Sequence, residues 1–257
     1  TLNEPSQGRM AVRLRLGSTV VRAQQDSGGS VVELAYARGG RVETVRGRQC
    51  VLACWNGIVP YICPDLPAAQ KEALSYGVKV PLVYTKVLIR DWKAFAQLGV
   101  SEIYCPGSYY SAVALDLPVS LGDYRHSRSP EEPIVLHLER TPCRPGLPRR
   151  EQHRLGRTEL LATTFEAEER KIRDQLARML SPGGFDPARD VLAITVNRWP
   201  HGYARGDTPP GWSAPEKPWE VGRRRFGRIA FAGSDAGASA LTQVAIDEAL
   251  RAVAELI

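Results

Sequence analysis

The chain has 257 residues, 43% hydrophobic and 24% charged, enough for one large domain or two small ones with a real core. Its net charge is +6, but the basic residues are scattered and the densest run is Arg223-Arg224-Arg225, so no nucleic-acid-binding stripe is present. No apolar run of membrane-spanning length, no charged-then-apolar leader and no C-x-x-C pair occur, and the five cysteines lack zinc-ligand spacing.

Residues 1–9 are polar and turn-like. From Met10 to Arg22 apolar and basic residues alternate, which predicts a half-buried strand. Val31–Tyr36 and Arg41–Arg46 read as a hairpin around Gly39-Gly40. Gln49–Trp55 reads as a buried strand, with Cys50 and Cys54 as buried thiols. Prolines 60, 64 and 67 mark a change of character, and Leu66–Tyr76 is a short helix opened by proline.

Lys79–Arg90 is a long apolar strand. Asp91–Leu98 suits a brief helix with Trp92 and Phe95 inward. Ile103–Cys105, Tyr110–Leu117 and Ile134–Glu139 follow as strands, with 118–133 and Pro142–Pro148 as loops. Thr158–Leu180 predicts one helix, burying Leu161, Phe165, Ile172, Leu176 and Leu180 and stopped by Pro182-Gly183-Gly184. Val191–Asn197 is a strand, and 204–227 a long loop of the kind that carries function.

The chain closes with a strand, Ile229–Ala232, a small-residue loop, Gly233–Gly237, and a helix, Leu241–Ile257, with Ile246, Leu250, Val253 and Ile257 on one apolar face. Such a unit brings backbone N–H groups to one point and favours an anion, a phosphate or a reduced flavin ring; an ordinary strand, loop and helix at the edge of an α/β sheet has the same pattern. The layout predicts α/β plus α+β: an incomplete Rossmann-like domain, 1–60 and 225–257, interrupted by an antiparallel-sheet α+β domain, 61–224.

The closing Ile229-Ala-Phe-Ala-Gly-Ser-Asp235 with its helix resembles the last motif of the flavin-containing amine oxidases. Val51-Leu-Ala-Cys-Trp-Asn56 is similar to their second flavin-contacting strand, and Gly77-Val-Lys-Val-Pro-Leu-Val-Tyr84 to the strand bearing their flavin-facing lysine. Trp199-Pro-His-Gly-Tyr203 resembles their aromatic-rich turn. Together with Arg140-Thr-Pro-Cys-Arg-Pro-Gly-Leu-Pro148, these stretches look most like bacterial spermidine dehydrogenases.

The resemblance implies an FAD-dependent oxidoreductase acting on a CH–NH bond of a small-molecule polyamine, with hydride passing from the substrate α-carbon to flavin N5. It assigns 1–60 and 225–257 to FAD and 61–224 to substrate. Haem accompanies some relatives; nothing in this sequence indicates it. No Gly-x-Gly-x-x-Gly turn occurs in these residues, so the chain is expected to be a C-terminal portion whose partner is the missing N-terminal FAD-binding segment. A soluble protein, cytoplasmic or periplasmic, is expected.

By the same resemblance, Lys79 holds a water near the flavin, and Tyr203 is one wall of an aromatic cage that orients the amine. Leu241 stands where the other aromatic wall belongs. Trp199 and His201 are candidate substrate contacts. Gly233, Ser234 and Asp235 lie along the ribityl and phosphate chain, where Asp235 accepts from a hydroxyl or from backbone N–H groups, or caps the helix. Thr242 brings a helix N–H toward the flavin. Val20 and Val21 offer strand backbone to the adenine, and Ala53 and Cys54 allow close approach. Two other readings remain open: a flavoenzyme for a larger apolar substrate of carotenoid or porphyrinogen type, and a cofactor-free interaction module.

Overall fold

The computed structural model describes residues 13–208, 211–213 and 215–257. The expectations for residues 1–9 and for Met10–Val12 lie outside the described residues. In chain order the elements are β1 (Thr19–Gln25), β2 (Val32–Arg38), β3 (Arg41–Gly47), β4 (Cys50–Leu52), α1 (Val59–Ile62), α2 (Ala68–Tyr76), β5 (Val80–Ile89), α3 (Lys93–Leu98), β6 (Glu102–Tyr104), β7 (Ala112–Leu115) and β8 (Ile134–Arg140). Then come α4 (Arg149–Ala162), α5 (Phe165–Leu180), α6 (Pro187–Asp190), β9 (Val191–Tyr203), α7 (Pro218–Gly222), β10 (Ile229–Phe231) and α8 (Thr242–Ala254).

The chain forms two compact units, one running to Gly77 and resuming over Ala204–Ile257, the other Val78–Tyr203. The expected limits were 60/61 and 224/225. In the structure α2 packs against α7 within the first unit. Gln70 of α2 donates to the carbonyls of Gly222 (3.1 Å) and Arg224 (2.5 Å), which ties the two helices together.

In the first unit β1, β2 and β3 form an antiparallel sheet, and β10 pairs β4 in parallel. Gly39 and Gly40 both take positive φ, 54° and 75°, as a two-residue turn of the hairpin twist requires. β1 begins only at Thr19. Gly17, at φ 61°, breaks the extended run, and Leu14 and Leu16 are exposed. Ala23, Val32, Leu52, Ile62, Ile229 and Phe231 form the core with Cys50 and Cys63. Burial pushes both of these thiols up to about 11, so they are inert packing groups. Cys54, expected to be buried, is exposed, because β4 ends at Leu52 and the chain turns outward.

Helix α8 also departs from its expected orientation. Ile246, Leu250, Val253 and Ile257 are 51–97% exposed, while Glu248 and Ala252 face inward. The inward acid is held by two guanidiniums: Arg223 pairs with one oxygen and Arg251 with the other, at 2.7 Å. Ala230, Ala232, Ala252 and Leu256 then make a small-residue seam between β10 and α8.

The second unit is a five-stranded antiparallel sheet, order β6-β7-β8-β5-β9. Val83, Val87 and Ile89 of β5 and Ile134, Leu136 and Leu138 of β8 share one core with Ile172, Leu176 and Leu180 of α5. A buried polar network sits in this core. Glu168 of α5 accepts from the hydroxyls of Tyr109 (2.8 Å) and Tyr110 (3.1 Å), and Gln175 clasps the Tyr110 backbone at both N–H and C=O. Thr85 of β5 completes it, 2.8 Å from the Tyr110 hydroxyl. Each member is satisfied, so the network fixes α5 in one register on the sheet.

The single helix expected over Thr158–Leu180 is two. Thr163 and Thr164 are extended, and the Thr164 hydroxyl accepts from Ala167 N–H as the N-cap of α5. The break resets the helical phase, so Leu160 is buried while Leu161 and Phe165 are exposed. Helix α4 lies close to the Pro142–Pro148 loop: a Cβ at Gly156 would fall 2.0 Å from the Pro142 oxygen. Gly156→Ala is therefore expected to destabilise the protein by about 1–3 kcal/mol. Gly77→Ala, where a Cβ meets nothing within 4 Å, is expected to stay within about 0.5 kcal/mol. Equal urea midpoints for the two variants would contradict this packing.

Candidate functional site

The candidate residues fall on both units. In the first, the ledge formed after β4 and β10 carries Ala53, Cys54, Gly233, Ser234 and Asp235. Both strands end side by side, since Leu52 pairs with Phe231 and Leu52 O accepts from Ala232 N–H (3.0 Å). The loop after β10 then curls tightly. Ala236 and Ala238 donate back to the carbonyls of Gly233 and Asp235 (both 3.1 Å), and Ser239 to that of Ser234 (3.1 Å).

Small residues are required here. Gly233 has φ 99°, and a Cβ on Gly237 would lie 2.3 Å from Val244 of α8. Ala238 takes φ 51° without being glycine, a left-handed conformation held by its surroundings.

Asp235 Oδ2 accepts from the backbone N–H of Asn56 at 2.9 Å, across 179 residues of sequence. This bond staples the two loops. Helix α8 opens at Thr242 behind Leu241, which has no side-chain capping bond. The first-turn N–H groups of this helix thus have no hydroxyl or carboxylate cap from the N-cap residue. Leu241 and Thr242 are exposed. Val20 and Val21 sit exposed on edge strand β1, where the register shifts between Val20 and Arg22.

In the second unit Tyr203 ends β9 and pairs with Val80, so Lys79, one residue before β5, lies beside it on the neighbouring strand. Lys79 is half-buried. Arg157 of α4 donates to the carbonyls of Pro200 (2.8 Å) and Lys79 (3.3 Å), clamping these two strand ends. A Cβ at Gly202 would come 2.8 Å from the Val80 oxygen, so the strands touch closely here. Trp199 pairs with Leu82 and is exposed; His201 is half-buried.

The structure adds Tyr84 to the expected residues. Its hydroxyl meets that of Tyr203, and its ring lies 5.0 Å from His137. Burial pushes the Tyr84 phenol well above its ordinary value, and the Tyr203 hydrogen bond adds to this, so it stays a neutral donor and acceptor. The signal in the sequence is the strand period: β5 buries Val83, Thr85 and Val87, which turns Tyr84 and Lys86 to the opposite face.

No protein-family model and no curated protein sequence matches the chain. Solved structures do. Cyclohexylamine oxidase from Brevibacterium oxydans IH-35A superposes with TM-score 0.60 at 16% identity, over 92% of this chain and 47% of that one. Wild-type putrescine oxidase bound to putrescine gives TM-score 0.59 at 14% identity, over 93% and 48%, and a single-substitution variant of it gives 0.62. The chain carries part of the flavin amine oxidase fold. It spans about half the length of these flavin amine oxidase structures.

Within this amine oxidase fold, the most testable link is the Asp235 staple. Asp235→Ala is expected to lower unfolding free energy by about 1–2 kcal/mol, and Asp235→Asn, which keeps an acceptor, by less. Indistinguishable urea midpoints for the two variants would show that the Asn56 bond contributes nothing.

Proposed function

We propose that this chain is the C-terminal portion of an FAD-dependent amine dehydrogenase or oxidase of polyamine, spermidine-dehydrogenase-like type. The observation that carries the reading is the likeness of fold to solved amine oxidases over nearly the whole of the chain. The ledge of the first unit fits a flavin in its donor set. The α8 N-terminus offers backbone N–H groups without a side-chain cap, next to a loop narrowed to small residues. On this reading Thr242 and its neighbours donate to an electron-rich carbonyl edge, and helix polarity favours negative charge there. Gly233, Ser234, Ala53 and Cys54 leave room for the chain of the cofactor, while Asp235 shapes the loop through Asn56. Val20 and Val21 offer exposed edge-strand backbone to the adenine.

FAD, when bound, supplies the two-electron acceptor that turns the C–N bond into an imine for hydrolysis. The protein's own part is orientation and desolvation. Tyr203 and Tyr84 present paired phenols to the amine; Trp199 and His201 are further candidate contacts. A desolvated amine loses its proton more readily, and only the neutral nitrogen has the lone pair that oxidation needs. Lys79, beside Tyr203, places an ammonium and its hydrogen-bonding capacity near the reacting end. A large apolar substrate is disfavoured because the face that carries Tyr84 also carries Lys86, His137 and Glu139.

In the FAD-loaded enzyme, an amine added without oxygen is expected to bleach the blue flavin absorption. Lys79→Met is expected to slow that bleaching about tenfold or more, and Tyr203→Ala to weaken amine saturation. In an FAD-loaded enzyme that joins this chain to an N-terminal FAD-binding segment, flavin untouched by any amine would overturn the reading.

A further inference from the structure

The pairing of β5 with β9 breaks where two of the candidate residues sit. Val80 pairs with Tyr203 and Leu82 with Trp199, so Pro81 of β5 stands opposite Pro200, His201 and Gly202 of β9. Pro81 and Pro200 have no N–H to give, and the irregular register interrupts the ladder further. Main-chain carbonyls at such a break need donors from elsewhere. Without them, the spacing of the two strand ends that carry Lys79 and Tyr203 is loosely set.

Arg157 of α4 supplies donors here. Its Nε donates to Pro200 O of β9 at 2.8 Å, and its Nη2 to Lys79 O, just before β5, at 3.3 Å. One planar guanidinium thus bridges the two strand ends in place of ladder bonds that the prolines cannot make. A lysine ammonium is a point charge and does not reproduce that fork.

The donor is itself held in place. Gly156, the residue before it, lies against the Pro142 carbonyl, with a Cβ placed there only 2.0 Å from the oxygen. Leu160, three residues on, is buried in the core of the second unit. At the end of the helix, Arg198 of β9 donates to the carbonyl of Thr163 at 2.9 Å. Helix α4 is therefore fastened to β9 at two points, by one arginine from each element. Burial pulls the Arg157 guanidinium below its ordinary value, and the Arg154 charge adds to this. The carbonyl bonds offset that desolvation.

We propose that Arg157 is a positioning residue: by joining Lys79 O to Pro200 O it sets the distance between Lys79 and Tyr203, and through them the placement of the amine. The inference rests on the amine reading above. It adds that the reacting geometry is set from helix α4, through the backbone of both strands.

Two measurements test it. The first follows flavin reduction by 1,4-diaminobutane without oxygen, in the FAD-loaded enzyme that joins this chain to an N-terminal FAD-binding segment. Arg157→Ala is expected to lower the limiting rate about ten- to a hundredfold, and added guanidinium ion to restore part of it. Arg157→Lys, which keeps the charge and folds if the first variant does not, is expected to keep the wild-type urea midpoint and still react about tenfold more slowly. A full limiting rate in either variant, a loss that guanidinium leaves unchanged, or a loss that only follows the urea midpoint would overturn the proposal.

The second measurement needs no flavin. In the chain alone, Arg157→Lys is expected to speed hydrogen exchange over residues 79–82 and 199–203 and to leave α5 unchanged. Unchanged exchange at the strand ends, or faster exchange throughout, would overturn the clamp. Flavin that no amine reduces in the unaltered enzyme removes the amine reading alone, and exchange still decides the clamp.

Discussion

The two-residue period of β5 is the constraint on which most of the second unit depends. The strand is hydrogen-bonded on both sides, to β8 and to β9, so its backbone has no freedom to slip. Helices cover one face only, and Val83, Thr85, Val87 and Ile89 must point there. Tyr84 and Lys86 are thereby committed to the other face. The same logic runs across β8, where Leu136 and Leu138 go to the core and His137 and Glu139 do not. A polar face is thus a by-product of covering the sheet once. A one-residue slip would exchange the two sets and bury a lysine, a histidine and a glutamate.

The first unit depends on a different kind of restraint. Its parallel pair is only three residues long on each strand, too short to be stable by ladder bonds alone. Polar side chains do the remaining work. Gln70 binds the end of α7, Asp235 binds Asn56, and Glu248 draws Arg223 and Arg251 around the end of α8. These are polar or charged groups that tie distant segments, so loop shape here is coupled to hydrogen bonds and ion pairs rather than to a large apolar core.

Strand positions were legible in the sequence because alternation is a strong signal: β2, β3, β5 and β8 lie where the pattern puts them. Failures have local causes. Thr163-Thr164 is compatible with a helix by periodicity, and only the capping bond to Ala167 shows that the chain stops and restarts there. The apolar stripe of α8 looks like a core face until Glu248 is seen to take the inward position with two arginines. Of the candidate residues, Lys79 and Tyr203 were proposed from motifs, and their adjacency follows from pairing of β5 with β9, which no local pattern encodes. Tyr84 was not among the expected residues because it meets His137 and Glu139 of β8 only through register. Pro81 and Pro200, which cannot donate ladder bonds, also obscured how far β9 runs beside β5.

The account's central claim is that the open face of the five-stranded sheet is the amine-binding face. Hydrogen exchange of the chain with and without 1,4-diaminobutane tests it most directly. Slowed exchange is predicted for the amides of Val80–Ile89 and Ile134–Arg140, with Phe165–Leu180 unchanged on the covered face. Protection confined to the helices, or no difference in either strand at saturating diamine, would contradict it.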